Sequence, residues 1–531
     1  MKLNETRNRP TQRLRAVAAA AWLAALSAPQ AQAFQIDTGN PDLKLSWDNT
    51  LKYGTAFRLK KQSDVLLDPN HDDGNRNFNR GLISNRIDLL TEADVQYGNF
   101  GARVSGSAWY DSVYNSDTDN TSAFTANALS VPYNQFTDAT KKLHGRKGEL
   151  LDAFVFGKFD LGGSKLTFRA GRHTLLWGES LFLGGNAIAG AQAAIDVSKA
   201  LSVPNTPFKE LGRPTNQLSS QLQFGPDLTI GAYYKFKADQ LRLPGAGSYF
   251  SDTDFLGAGG ERLWGPGFTR APDIKGKDSG EGGVQARFHV AEFDVGLYAI
   301  RYHDFGPQLY IRPIQGQFAW VYPTGSVAYA ASASTTIGPV NYAVEASVRR
   351  NVAFNSAAGL DFTGTADNSG NPLYAIGKSA HVNFSWLASV GQNWLAKEAD
   401  FVGEVAWNRR LSVDKNESAL DLISNGGNAD TLSRDALKTR MVYEPKYRQA
   451  LDGLDITVPV GFGVGLYGNS SLGGSQRQGV GDMSFGMTGA YLDIWRFSAT
   501  LTHYFGRAGI TKYDQTLKDR DFLSLQVRRT F

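Results

Sequence analysis

The stretch that decides the fold is FLSLQVRRTF, residues 522–531, in which apolar and polar side chains alternate. One face carries an apolar set: Leu523, Leu525, Val527 and Phe531. The opposite face carries a polar set: Ser524, Gln526, Arg528 and Thr530. A period of two with one apolar and one polar face predicts a β-strand between lipid and a polar lumen. A terminal aromatic is typical of many bacterial outer-membrane barrels, so we interpret Phe531 as a signal for the barrel-assembly machinery.

The N-terminus has the layout of a secretory signal peptide. Basic residues come first, an apolar run follows at 16–26, and Ala31-Gln32-Ala33 matches an A-x-A cleavage site. The apolar run is too short for a membrane-spanning helix. We therefore predict a cleaved signal peptide at 1–33 and a single domain at 34–531, destined for the outer membrane of a Gram-negative bacterium.

Composition excludes several classes of protein. The leader holds five of the Lys and Arg residues and one Glu, so its removal takes the formal net charge from +4 to about zero. A neutral chain gives no sign of a nucleic-acid partner. The chain has no cysteine, which excludes disulfides and thiolate catalysis. No apolar run of about 18 residues follows the leader, so transmembrane helices are not expected.

Alternating runs recur along the whole chain and are joined by two kinds of connection. Tight turns such as 161–164, 225–227, 338–339 and 452–453 join them in pairs. Long polar stretches rich in Gly, Asp and Asn separate the pairs, for example 115–148 and 238–281. This asymmetry predicts an all-β, antiparallel up-and-down transmembrane barrel of about 18 strands (range 14–18). It would have short periplasmic turns and long extracellular loops, part of which fold into the lumen.

Several motifs resemble a proteobacterial outer-membrane family known as domain of unknown function 1302. They are 72–78 (DDGNRNF), 81–89 (GLISNRIDL), 171–173 (GRH), 177–180 (WGES), 502–506 (THYFG) and 517–522 (LKDRDF). The resemblance covers nearly the whole chain after the leader. It implies a barrel in the outer membrane and an association with uptake of hydrophobic compounds such as lipids or steroids. It also implies a periplasmic lipid-carrier-like partner and a large inner-membrane transporter.

The sequence carries no catalytic or cofactor motif. Gly178-Glu179-Ser180 lacks the final glycine of a nucleophile elbow, and no Walker lysine or H-E-x-x-H pair occurs. The Asp-rich segment 68–74 suggests calcium, but its glycine is misplaced for an EF-hand loop. We therefore expect no enzyme activity, no cofactor and no metal, and we interpret 68–74 as a solvated loop.

Strand parity directs a set of charged side chains toward the lumen. They are Lys52, Arg86, Asp88, Glu92, Asp400, Glu404, Arg440, Glu444, Arg448 and Arg528. One interpretation is a network of ion pairs that fills and stiffens the lumen. The other is an eyelet that selects solutes by charge.

Two loops are candidates for a constriction of the pore. Residues 187–201 within the loop 178–215 are predicted to form a short helix in Gly- and Ala-rich surroundings. The loop 238–281 carries an aromatic set: Tyr249, Phe250, Phe255 and Trp264. Extracellular loops that pack on each other would show the same apolar content.

The sequence therefore leads to a hypothesis of passive uptake of hydrophobic or amphipathic organic solutes, lipid- or steroid-like, through an outer-membrane channel. The alternative is a structural barrel that anchors a periplasmic lipid-carrier partner of a larger transport system. The oligomeric state, the gating and the direction of transport are left open.

Overall fold

The computed structural model describes residues 34–531 except 204, 264, 266, 421–431 and 474–475. The predicted leader and Trp264 therefore lie outside the described residues. In chain order the strands are β1 Phe34–Ile36, β2 Leu43–Arg58, β3 Gly81–Tyr97, β4 Phe100–Asp111, β5 Arg146–Asp160, β6 Ser164–His173, β7 Thr215–Phe224, β8 Leu228–Lys235, β9 Thr269–Arg270, β10 Glu281–Val290, β11 Phe293–Tyr302, β12 Gln308–Arg312, β13 Gln317–Val321, β14 Ser326–Ile337, β15 Val340–Ala353, β16 Gly359–Leu360, β17 Ile376–Val390, β18 Glu398–Lys415, β19 Asp435–Leu451, β20 Leu454–Thr457, β21 Val460–Tyr467, β22 Gly481–Tyr491, β23 Trp495–Phe505 and β24 Phe522–Thr530.

The main sheet closes on itself. Each barrel strand pairs antiparallel with its neighbours in sequence, and β24 returns to β2 with the register Thr50↔Thr530 to Arg58↔Phe522. β20 and β21 both pair with β19 and with β22, so they are two halves of one spanning strand whose ladder is interrupted at 458–459. β1 is a short addition that pairs with β2 alone. Over the described residues, the wall is a closed barrel of 18 strands, as the alternation predicts.

The two faces of the wall differ in polarity, as a membrane barrel requires. Large apolar side chains on the outer face are exposed, among them Phe485, Phe497, Leu501 and Leu525 on β22–β24. Their strand neighbours on the inner face are polar or charged. An exposed apolar belt on a closed barrel is stable against lipid and is unfavourable against water. The fold is therefore that of a barrel of the outer-membrane type.

Helical segments are short and lie in the connections. They are α1 Asp73–Arg76, α2 Asp138–Thr140, α3 Val197–Ser202 and α4 Phe208–Leu211, with 3₁₀ turns at Asp64–Leu66, Val113–Asn115, Ile188–Ala191 and Glu417–Ala419 and a π-helical turn at Lys141–Gly145. No helix in the described part of the chain is long and apolar enough to span a membrane.

The long connections form a layer over one end of the barrel. A second, four-stranded sheet of β9, β12, β13 and β16 lies in this layer, where the sequence indicated only irregular loops. Two apolar clusters hold the layer together: one is built on Phe78, Tyr114, Phe136 and Tyr249, and the other on Phe255, Phe318 and Trp320. The extracellular end therefore has a packed cover.

Candidate functional site

The connection between β6 and β7, residues 174–214, crosses the inside of the barrel, and we call it the lumen loop. It leaves the wall after His173 and reaches strands on the far side. Asn186 Nδ2 donates to Asn383 Oδ1 on β17 (2.7 Å) and to the Trp407 carbonyl on β18 (3.0 Å). Asn205 Nδ2 donates to Ser484 Oγ on β22 at 2.8 Å. The predicted constriction by residues 178–215 therefore has a structural basis in a loop that spans the lumen.

The predicted helix at 187–201 is only partly correct. A 3₁₀ turn at Ile188–Ala191 and the helix α3, Val197–Ser202, form separately. Between them the chain pairs through Ile195 with Gly212, near the other end of the loop. The backbone of the intervening residues is therefore used to hold the loop on itself, and one continuous helix cannot form.

Glu404 on β18 anchors the start of the lumen loop. Its carboxylate is fully buried and accepts hydrogen bonds from the backbone N–H groups of Leu181 (3.2 Å), Phe182 (2.6 Å) and Leu183 (2.7 Å). Ser180 Oγ donates to the same carboxylate at 2.7 Å. Successive N–H groups that point at one anion form a concave anion-binding nest. Strand parity predicted that Glu404 points into the lumen. In the structure its carboxylate binds the lumen loop inside the barrel.

Glu345 on β15 binds the same segment and was absent from the predicted set. Its carboxylate accepts from the backbone N–H groups of Glu179, Ser180 (3.0 Å) and Ile188 (2.9 Å). Gly178 has a φ of +92°, and a Cβ at this position would collide with the Glu345 carboxylate. The 177–180 motif therefore turns the chain onto Glu345. Val344 and Val348 face outward, so strand parity would have identified Glu345.

Arg349 binds the lumen loop from the same face of β15. Its guanidinium donates to the carbonyls of Asn186 (2.8 Å) and Ala187 (2.7 Å), and the side chain is buried. Hydrogen bonds to a charged group are stronger than those between neutral groups. The wall therefore holds the loop in two ways. The carboxylates of Glu345 and Glu404 accept hydrogen bonds from the loop's N–H groups, and the guanidinium of Arg349 donates to the loop's carbonyls.

An apolar sector of the lumen wall lies against the lumen loop. It consists of inward side chains of β8, β11 and β14: Tyr233, Tyr298, Ile300, Tyr302 and Ala328. The loop covers this sector with Trp177, Ile188, Ala191 and Ala194. The Trp177 ring lies 5.0 Å from Tyr233 and 5.9 Å from Tyr298 between centroids. A barrel lumen is ordinarily polar, so an aromatic stripe inside it is a distinct feature of this chain.

Most other predicted lumen charges are paired with each other or with neighbours. Asp88 binds Lys52 (3.4 Å) and Arg86 (2.6 Å). Further pairs are Glu92 with Arg103, Asp400 with Lys446 (2.5 Å), Arg440 with Asp482 (3.0 Å) and Arg448 with Asp455 (2.9 Å). Glu444 lies opposite Asp400 in the ladder, and Arg528 lies between Lys52 and Arg496. The described charges therefore form a pairing network with a basic row of Lys52, Arg528 and Arg496.

The second predicted constriction loop, 238–281, belongs to the extracellular cover. Tyr249 packs edge-on against Phe78 at 5.5 Å, and Phe250 packs against Phe522 at 5.3 Å. Phe255 stacks on Trp320 at 5.7 Å. These three aromatic side chains are therefore used to pack the cover. Phe531 continues the closing ladder, since its N–H donates to the Asn49 carbonyl at 2.8 Å.

The prediction that residues 68–74 form a solvated loop is wrong for residues 72–74, while residues 68–71 are partly exposed. Asp72, Asp73 and Gly74 are buried in the extracellular cover. The reason is tertiary, because Asp73 accepts hydrogen bonds from Thr125 Oγ1 and from Asn127 Nδ2 (3.0 Å), both on another loop. Sequence polarity alone could not show that other loops supply these donors.

A closed barrel with an apolar exterior, a charged lumen and an inward-folded loop defines the class of porin-like outer-membrane barrels. The family model described as "Protein of unknown function (DUF1302)" matches residues 14–531, and the chain belongs to this family, as its motifs indicated. No curated protein matches the sequence.

Solved structures of similar outline are outer-membrane proteins. They include Acinetobacter baumannii OccAB3, at 11% identity over 92% of this chain and 99% of that chain with a TM-score of 0.45. Pseudomonas aeruginosa OpdK with vanillate is 11% identical over 92% and 98%, with a TM-score of 0.41. The outer membrane channel DcaP of Acinetobacter baumannii is 7% identical over 94% and 100%, with a TM-score of 0.39. These scores are low, so the architecture rests on the strand pairing of this chain itself.

Proposed function

We propose that this protein is a passive outer-membrane channel for hydrophobic or amphipathic organic solutes and that the lumen loop is its gate. The observation that carries the proposal is the apolar sector, Tyr233, Tyr298, Ile300, Tyr302 and Ala328, which the lumen loop covers together with Phe305 and Leu241. Movement of the loop would expose these side chains to the lumen. An apolar solute would then replace the contacts of Ile188, Ala191 and Ala194.

The attachment of the loop suits a reversible gate. Over the described residues, Asn186 and Asn205 hydrogen-bond to Asn383 and Ser484 on the far wall. Further hydrogen bonds between the loop and this wall go to three side chains, Glu345, Arg349 and Glu404. These three side chains are charged, so water in the lumen can solvate them when the loop leaves. The loop itself is rich in Gly and Ala around 184–194, which keeps the contact surface small and smooth.

The amphipathic part of the proposed solute class rests on the basic row of Lys52, Arg528 and Arg496. These residues are adjacent in the register of β2, β24 and β23, on the lumen face. Arg496 and Arg528 are exposed toward the barrel interior. A solute with an apolar body and a polar or anionic head would meet an apolar surface and a cationic surface in one lumen.

Flux measurements on lipid vesicles test the proposal. The purified chain is inserted into vesicles, and entry of a steroid and of a short sugar is followed. We expect Tyr298→Ser with Ile300→Ser to reduce steroid entry severalfold and to leave sugar entry unchanged, because the apolar sector is lost. The control is Leu297→Ser on the same strand, whose side chain faces lipid. Equal steroid entry with and without protein, or equal effects of both substitutions, would exclude this solute class.

The docking alternative has one specific observation in its favour. Trp394, on the longest periplasmic turn at 391–397, is 90% exposed. A photo-crosslinker at Trp394 tests for a periplasmic partner, and the same crosslinker at Ile314, in the extracellular hairpin β12–β13, is the control. Capture of one defined periplasmic lipid carrier at Trp394 alone, together with absent steroid flux, would favour docking over permeation.

A further inference from the structure

Three buried carboxyl groups meet in the extracellular cover, away from the lumen loop. Asp72, Asp73 and Asp254 each place a carboxylate oxygen within 4.8 Å of the other two, and all three residues are buried. Asp254 belongs to a different loop from Asp72 and Asp73, and its Oδ2 accepts from the Asp73 N–H at 3.1 Å. Like charges at this separation repel strongly when water is excluded.

The hydrogen bonds around the cluster satisfy only some of its oxygens. Asp73 has donors on both oxygens, Thr125 Oγ1 and Asn127 Nδ2. Asp72 Oδ2 accepts from Arg76 Nε at 2.5 Å. Asp72 Oδ1 and Asp254 Oδ1 have no hydrogen-bond partner among the described residues. Unpaired carboxylate oxygens in a buried position require a proton or a cation.

A neutral side chain one helical turn after Asp73 offers a further oxygen. Asn77 is 6% exposed, and its Oδ1 also has no partner among the described residues. Its amide orientation is set by Nδ2, which donates to the Gly247 carbonyl at 2.9 Å. Asn77 and Asp73 line one small cavity together with Thr125 and Asn127. An amide oxygen without a donor beside carboxylates is an arrangement typical of hard-cation sites.

The charge balance of the cluster matches a divalent ion. Three ionised carboxylates carry a formal charge of −3, and the neighbouring Arg76 supplies +1 through its contact with Asp72. The charges that act on Asp254 come from Asp73 and Asp72 and are unfavourable. Two negative charges therefore remain, and one divalent cation would neutralise them.

We propose that Asp72, Asp73, Asp254 and Asn77 bind one divalent cation of the calcium class. All the ligands are oxygens, which suits Ca²⁺ better than thiophilic or imidazole-bound metals. The ion joins the loop 59–80 to the loop 236–280, and the donors Thr125 and Asn127 bring in the loop 112–145. It therefore fastens the cover over the mouth of the barrel. The site is independent of solute permeation through the lumen.

The binding test uses the full-length chain in detergent after removal of metals with EDTA. Calorimetric titration with CaCl₂ is expected to show one saturable site, and addition of Ca²⁺ is expected to protect the loop 236–280 from limited proteolysis. Asp254→Asn should lower the affinity at least tenfold. Asp111→Asn is the matched control, because Asp111 is also buried near the extracellular end but is bound by Ser84 and Asn85.

Two results would overturn the site. One is the absence of saturable Ca²⁺ or Mg²⁺ binding to the wild type up to about 10 mM, beyond the weak end of extracellular calcium modules. The other is an equal affinity in wild type and Asp254→Asn. Asn77→Ala provides a second variant that keeps all three carboxylates and should weaken binding roughly tenfold, the scale of supporting groups in metal sites. If Asp254→Asn does not assemble, an unchanged affinity in Asn77→Ala refutes the assigned ligand set.

Discussion

Replacement of Glu404 by alanine should release the lumen loop. In the docked state, the carboxylate accepts from Leu181, Phe182 and Leu183 N–H and from Ser180 Oγ, and it is fully buried. Alanine leaves these donors without an acceptor. Asn383 Nδ2, which donates to Glu404 at 2.6 Å, also loses its partner.

The size of the effect follows from the number of stranded donors. A buried donor left unsatisfied costs about 1–3 kcal/mol. Docking also removes water from the Glu404 carboxylate, which opposes the gain, and water can enter the lumen after the substitution. We therefore take the low end for the three backbone donors, about 3 kcal/mol. At about 1.4 kcal/mol per factor of ten, the ratio of undocked to docked loop should rise about a hundredfold.

Single-channel recording in planar bilayers measures this ratio as the fraction of time in the high-conductance state. Glu404→Gln should lie between wild type and Glu404→Ala, because the amide keeps one acceptor oxygen. Asp400→Ala is the matched control on the same lumen face of β18, since Asp400 binds Lys446 and not the loop. Identical gating in wild type and Glu404→Ala, or an equal effect of Asp400→Ala, would refute the assignment of the lumen loop as the gate.

Three further outcomes are expected. Arg349→Met should also favour the open state, by roughly tenfold, because the Asn186 and Ala187 carbonyls lose a charged donor; the bilayer recordings with Glu404→Ala serve as its reference. Arg58→Ala should destabilise the extracellular cover by about 1–3 kcal/mol, because the buried carbonyls of Asn75 and Phe78 lose their charged donor, while Asp519 keeps its contacts with Ser63, Asn75 and Arg520. Protease sensitivity of the loop 506–521 with and without the substitution measures this, and equal sensitivity contradicts it. In EDTA, the free energy of unfolding should fall as pH rises from 3.8 toward 7, because burial, followed by the charge of Asp72, raises the pKa of Asp73 to about 7 and the folded form holds the proton more tightly. The charged neighbours are Asp68, Asp72, Arg76 and Asp254. Thermal unfolding of wild type against Asp73→Asn measures the trend, and an identical pH slope in both would contradict it.

The strand positions followed from the sequence because lipid on one side and a wet lumen on the other impose a period of two. The tight turns at 225–227 and 338–339 predicted the hairpins β7–β8 and β14–β15. Alternation could not show the break at 458–459, because Pro459 interrupts one spanning strand without changing its direction. It also could not show the extracellular sheet, whose strands are at most five residues long.

The sequence predicted which side chains of the candidate site face the lumen, but it could not predict what they bind. Parity identifies Glu404 as a lumen residue, and the same rule applied to β15 would have added Glu345 and Arg349. No local sequence pattern predicts that Glu345, Arg349 and Glu404 bind the backbone of residues 179–188, which lie more than 150 positions away in the sequence. Backbone N–H groups are common to all residues except proline, so such contacts leave no signature in side-chain composition.

The sequence by itself determined the closed antiparallel barrel and the polar or apolar character of each face, since these depend on contacts between adjacent strands and on the surrounding solvent. Only the tertiary structure decided which loop enters the lumen, which strands form the apolar sector under that loop and which carboxylates meet in the extracellular cover. Asp73 and Asp254 are 181 residues apart, and their contact exists only because the closed wall brings distant loops to the same end of the barrel.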